Sequence, residues 1–284
     1  MRVLEREICV LTQLAKHLVL TRPHISRLCY PTDKNGRVTR ARLRALHACG
    51  FVNRKPFRAS AALGPPTFLY LLTREGCKFL SDHFDNIRYR FKPTSLVQPS
   101  HVDHYLEMSD LSILFQNDVV PEQTNVQLIN WYNDSEVINF DEVDEELHFR
   151  LFTEIQQSPR RIICRPDAGF LLEKDGVRGV FYVERERDRT GPRQVAAKKV
   201  PGYLGLLEQQ LHKRHFPTSS LERFTVLFVG ENGNHRDRLK VAFAKHADPG
   251  RWRFASVRDL NSNSFLFEPV WYRCDIDEPT TLVK

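Results

Sequence analysis

Residues 165–186 read RPDAGFLLEKDGVRGVFYVERE, two apolar runs on either side of Asp175-Gly176. Each run is short and rich in aromatic, branched and leucine residues, and Asp-Gly tolerates the positive φ angles of a tight hairpin turn. Two antiparallel strands are expected, at 164–172 and 179–184. Asp167 stands near the start of the first and Glu184 at the end of the second. Antiparallel pairing therefore brings both carboxylates to the same end of the hairpin.

Paired oxygen ligands of this kind can hold a magnesium ion against a phosphodiester, where the ion activates water and stabilises charge. Asp167 and Glu184 are the candidate metal ligands, and Mg2+ is the candidate cofactor. The pattern resembles the PD-(D/E)xK nuclease core. The resemblance implies an α/β domain with a lysine two positions after the second acid, where this chain has Glu186. Lys198 or Lys199 on the following helix can replace that lysine only if the helix returns past the hairpin end, and Lys199 is the candidate catalytic residue. Glu186 adds negative charge where phosphate and attacking water need a cation, so a degenerate site without nuclease activity is expected. The alternative is a carboxylate-rich hairpin held by structural salt bridges to Arg165, Arg185 and Arg187.

Strands are also expected at 126–131, 224–229 and 252–257, and helices at 194–213 and 236–245. Alternation of this kind argues for an α/β sheet with at least one crossover connection. Upstream, SHVDHYLEMSDLSILFQND at 100–118 carries Val102, Leu106, Leu111 and Leu114 at helical intervals, with Ser100 available as a cap. His101 and His104 lack a nearby third ligand and are read as surface or joint histidines rather than a metal pair. FDEVDEELHF at 140–149 is read as a solvated acidic loop or helix face. These segments make up an α/β domain over 101–284, preceded by a linker at 91–100 inside the basic, proline-containing stretch RYRFKPTSLVQP.

The first 90 residues have a different pattern. Leu4, Ile8, Leu11, Leu14 and Leu18 form one stripe of an amphipathic helix. Thr21-Arg22-Pro23 opens a second helix. A third runs from Arg37 to about Ala48 and stops at Gly50. On it Leu43 and Leu46 share the buried side, while Arg37, Arg40 and Arg44 lie opposite. Two short strands, 51–55 and 67–71, flank the hairpin tip PFRASAALGPP, and Thr73 can cap a closing helix, TREGCKFLSDHF. Helix, helix, helix, hairpin, helix is the order of a winged helix-turn-helix, with the third helix suited to the major groove of double-stranded DNA. Arg37, Arg40 and Arg44 on that helix, with Lys55 and Arg58 on the wing, are the candidate DNA-binding residues.

Charge separates the two regions. Residues 1–95 hold 18 Lys and Arg against 6 Asp and Glu, whereas residues 96–284 hold 24 against 29. A basic first domain favours a polyanion partner, because phosphate neutralisation releases counterions. The six cysteines are far apart without CxxC spacing, which suits reduced core thiols rather than zinc. No apolar run approaches the roughly 20 residues that span a bilayer, and MRVLEREICV carries charges where a signal peptide is apolar, so a cytoplasmic protein away from membranes is expected.

From about residue 8 to residue 230 the chain resembles the replication-relaxation family of plasmid and mobile-element proteins. The matching pieces are LHACGFVNR at 46–54, LYLLTREG at 69–76, HVDHYLEMSDL at 101–111, RPDAGFLL at 165–172, FYVERERD at 181–188 and KVPGY at 199–203. The resemblance implies a winged helix joined to a nuclease-like domain. It carries Asp167, Glu184 and Lys199 over as site positions, with a role in plasmid replication, relaxation or mobilisation. The expected function is sequence-specific binding of double-stranded DNA, alone, as a homodimer or with plasmid replication or mobilisation proteins. A metal-dependent endonuclease targeted by the winged helix and a dimeric transcriptional regulator are the alternatives.

Overall fold

The structure, a computed structural model, describes residues 4–57, 67–85, 101–119, 125–138, 145–157, 160–262 and 264–283. Arg58, most of the hairpin tip, the linker at 91–100 and residues 140–144 of the acidic run lie outside the described residues. The chain divides into two compact units, Met1–Ile113 and Leu114–Lys284.

The first unit begins with helix α1 (Glu5–His17), the two-residue strand β1 (Leu20–Thr21) and helices α2 (Arg22–Cys29) and α3 (Arg37–Ala48). Strands β2 (Val52–Phe57) and β3 (Thr67–Leu72) and helix α4 (Arg74–Phe84) follow. Of the stripe expected on α1, Leu11 and Leu14 are buried with Val10 against Ile25, Leu43, Leu46 and Leu80, whereas Ile8 is half-buried, Leu4 is an exposed residue at the helix start and Leu18 lies just past its end. β3 is central, with β2 on one side (Val52↔Leu72) and β1 on the other (Leu20↔Tyr70). β1 is too short to leave a periodic signal, which is why it was not expected.

Two turns set the exit and entry of α3. Gly36 and Gly50 take φ angles of 64° and 76°, the left-handed region that favours glycine. Between them the buried Thr39 gives its N–H and hydroxyl to Asp33 at 2.8 and 2.7 Å, tying the preceding loop to the helix. Thr73 caps α4 by accepting the Gly76 N–H at 3.0 Å and donates its hydroxyl to the Gly50 carbonyl at 2.6 Å. At Gly76 a Cβ would stand 2.3 Å from the Phe51 carbonyl oxygen, so a glycine lets α4 approach the end of α3. The segments LHACGFVNR and LYLLTREG thus meet in space.

Helix α5 (Val102–Asp118) belongs to the first unit as far as Ile113. Its Val102 is buried with Val19, Leu69 and Leu71. Asp110 meets His24 Nε2 at 3.1 Å and Arg27 at 3.4 Å.

In the second unit the chain forms β4 (Val126–Asn133), β5 (Thr153–Gln157), β6 (Arg160–Cys164), β7 (Ala168–Lys174), β8 (Val177–Arg185), α6 (Pro192–Glu208), α7 (His212–His215) and β9 (Thr225–Gly230). Then come α8 (Gly233–Phe243), β10 (Trp252–Ser256), α9 (Val257–Ser262) and β11 (Tyr272–Arg273). One six-stranded sheet runs β11-β10-β9-β8-β7-β4, and β5 pairs with β6 separately. β8, β9 and β10 are parallel, joined through α6 with α7 and through α8, while β4, β7 and β8 are antiparallel. The molecule is therefore a mixed α+β protein.

The expected hairpin closes at Asp175-Gly176, with φ angles of 50° and 78°. Its first strand is shorter than expected. Cys164 ends β6, opposite Thr153, and β7 starts only at Ala168. Pro166 between them has no N–H to donate and restricts Arg165, so one continuous strand is broken into two. The long helix expected at 194–213 ends at Glu208, because Gln210 turns to φ 54° before the short α7.

Aromatic side chains fill both faces of the sheet. Tyr203 of α6 and Phe243 of α8 pack with Tyr182, Phe228, Trp252 and Phe254 of the sheet, and Phe115, Trp131, Phe170 and Phe265 form a second group elsewhere in the unit, in which Trp131 and Phe170 stack. α6 continues through Pro201, and a Cβ on Gly205 would lie 2.5 Å from Ile155. Glycine there brings the helix close to β5. No helix among the described residues is long and apolar enough to cross a membrane.

Candidate functional site

Asp167 and Glu184 meet at one end of the β7–β8 hairpin. Asp167 lies just before β7, and its Oδ2 accepts the Arg185 N–H at 2.8 Å. Glu184, in β8, is fully buried beside Phe228 of β9. Its Oε2 accepts Lys199 Nζ at 2.5 Å and its Oε1 accepts the Tyr203 hydroxyl at 2.5 Å. α6 therefore does return past the hairpin end. Helical spacing puts Lys199 and Tyr203 on one face with the buried Val195, Ala196 and Val200, whereas Lys198 is exposed.

Burial pushes the Glu184 carboxyl up to about 8, and Asp167 and Glu186 push the same way while Lys199 pulls it down. Burial alone would lower the Lys199 ammonium. The carboxylates of Glu184, Asp167 and Glu186 outweigh it and hold the lysine above its ordinary value, so it keeps its charge. Burial also raises the Cys164 thiol, with the Glu184 charge adding to it.

As arranged, these residues do not fit a magnesium ion. Both Glu184 oxygens are engaged by donors inside a packed core, and among the described residues no three His, Cys, Asp or Glu side chains gather as metal ligands. Glu186 is half-buried and gives its N–H to the Val229 carbonyl at 3.0 Å. Of the arginines that offered the alternative pairing, Arg165 meets Asp134 at 3.4 Å and Arg185 meets Glu231 at 2.5 Å. Glu184 takes its ion pair from Lys199 instead.

Tyr203 is the participant that the sequence did not announce as a site residue. Its signal was present in KVPGY: a hydroxyl four residues after Lys199, on the same helical face. His101 is exposed and His104 half-buried, beside the Tyr105 ring.

The second candidate surface is on α3. Arg37, Arg40 and Arg44 are all exposed, opposite the buried Thr39, Leu43 and Leu46. None of the three has an ion-pair partner among the described residues. Arg42, between the two faces, reaches the buried carboxylate of Glu7 at 3.2 Å and ties α3 to α1. On β2, Lys55 is exposed, and Arg54 lies over the Phe68 ring at 5.1 Å.

The fold and these surfaces define a two-unit α+β protein with an exposed arginine face in one unit and a buried carboxylate, lysine and tyrosine cluster in the other. Residues 11–218 match the replication-relaxation family, and the chain belongs to that family. No curated protein and no solved structure is significantly similar to it.

Proposed function

We propose that this is a sequence-specific double-stranded DNA-binding protein of a plasmid or other mobile element, acting in the cytoplasm in replication, relaxation or mobilisation or in their regulation. The first unit is then a winged helix-turn-helix. α3 is its recognition helix, β2 and β3 its wing, and Arg37, Arg40, Arg44, Lys55 and Arg58 its DNA contacts. One observation carries this reading: three arginines project from a helix whose other face is anchored in the core, and no carboxylate among the described residues neutralises them. Arginine forks suit guanine edges and phosphates alike.

The second unit is then a PD-(D/E)xK-like domain that does not cleave, serving assembly with a second copy or with replication or mobilisation proteins. Full occupation of Glu184 by Lys199 and Tyr203 supports silence. Gel shifts test the first part. Replacing Arg40 and Arg44 by alanine is expected to weaken duplex binding by about 1–3 kcal/mol per lost base contact, and unchanged binding would remove α3 as the reading helix.

Convergence of Asp167, Glu184 and Lys199 favours one other reading, a metal-dependent endonuclease. Supercoiled plasmid incubated with protein and magnesium or manganese decides it. Nicking that disappears in both Asp167→Ala and Lys199→Ala would establish the enzyme and overturn silence.

A further inference from the structure

From the end of β8 into α6 the chain reads RERDRTGPRQVAAKK at 185–199, six cations against two acids. This lies in a region, 96–284, where acids outnumber cations 29 to 24. Asp188 is held by Arg238 at 2.6 Å, and Glu186 is half-buried. Two cations turn inward, Lys199 to Glu184 and Arg185 to Glu231. Arg189, Arg193 and Lys198 are exposed, and none of them has an ion-pair partner among the described residues.

The inward face of α6 is taken by Val195, Ala196, Val200 and Tyr203, which leaves Arg193 and Lys198 facing outward. Five residues of helix separate them by about 7.5 Å along the axis and about 140° around it, so they lie towards opposite edges of the outward face. A protein partner would want an apolar centre for its interface. Among the described residues of this unit the exposed large hydrophobic ones are Ile163, Val177, Val241 and Ile276, and none is in 185–203.

We propose that Arg189, Arg193 and Lys198 form a second phosphodiester-binding surface, in the Leu114–Lys284 unit, that grips the DNA backbone without reading its sequence. The choice of DNA as the polyanion rests on the function proposed above. The surface assigns the mostly acidic unit a direct part in holding DNA, adding affinity and salt dependence but no discrimination.

The experiment uses the full chain and a duplex that it binds, with affinity measured over a salt series. Each lost phosphate contact lowers the slope of log K against log salt by about 0.9 for duplex DNA. Arg189→Ala/Arg193→Ala/Lys198→Ala is expected to flatten the slope by about 2 to 3 and to weaken specific and unrelated duplexes by the same factor. Arg189→Lys/Arg193→Lys keeps the charges and is expected to retain the parental slope. An unchanged slope in the alanine variant, with binding still lost in Arg40→Ala/Arg44→Ala, overturns this surface and leaves the arginine face of α3 standing. A flattened slope in the first with no effect in the second does the reverse. Failure of the lysine variant to retain the slope, or a wild-type chain that binds no duplex at low salt, also overturns the proposal.

Discussion

Arg40 and Lys199 are both helical cations, in surroundings that are opposites. Arg40 is exposed, with solvent to screen it and no carboxylate beside it among the described residues. Lys199 has a side chain 23% exposed and touches a carboxylate that is 1% exposed. In the first case charge costs the fold almost nothing and is available to a partner. In the second the charge is spent inside the protein, joining α6 to β8 across the core. A cation's sequence neighbourhood does not separate the two cases; the face of the helix that it occupies does.

Stability measurements on the full chain can break that contrast. Lys199→Ala leaves Glu184 buried without its ammonium, and losing one partner of a buried pair commonly costs about 3–5 kcal/mol. The lower end, about 3 kcal/mol, is expected because Glu184 can retain a proton. A urea midpoint unchanged from wild type would mean that the pair does not anchor α6.

Next in size is a backbone contact in the first unit. Gly76→Ala forces a methyl towards the Phe51 carbonyl, and overpacking of this kind costs about 1–3 kcal/mol. Retention of wild-type thermal stability would show that α4 can slide away from the end of α3.

The pH dependence sharpens the description of Glu184. Its folded value is raised to about 8 from an ordinary 4.5, so the folded state binds the proton more tightly. The stability that follows is complete below the unfolded value and is lost as pH rises towards 8. Glu184→Gln cannot ionise. The advantage of wild type over this variant is therefore expected to shrink from pH 5 to pH 8 in urea melts. An advantage that grows with pH would mean that the ion pair with Lys199 outweighs burial.

The smallest effect belongs to the exposed arginines. Arg40→Ala/Arg44→Ala is expected to change stability by less than about 0.5 kcal/mol, even though it is expected to weaken DNA binding. A large loss of stability would show that the face helps to hold the first unit together.

Local signals were enough for much of the architecture. Apolar periodicity marked α1 and α3, the Asp175-Gly176 turn marked the β7–β8 hairpin, and a cap at Thr73 marked the start of α4. The same signals separated Arg37, Arg40 and Arg44 from Leu43 and Leu46, because a 3.6-residue repeat assigns faces without reference to anything distant. They failed where one residue outvoted its neighbours, as Pro166 did in dividing β6 from β7, and where an element was as short as β1.

The amino-acid sequence by itself determined which residues could carry charge, which faces were apolar and where the hairpin turned. Only the tertiary structure decided that Lys199 rather than Lys198 or an arginine pairs with Glu184, and that Tyr203 completes the contact. The reason is distance along the chain. Lys199 and Tyr203 are 15 and 19 residues from Glu184, and their meeting depends on how closely α6 lies over the sheet. Packing against the core fixes that approach, and no local pattern encodes it.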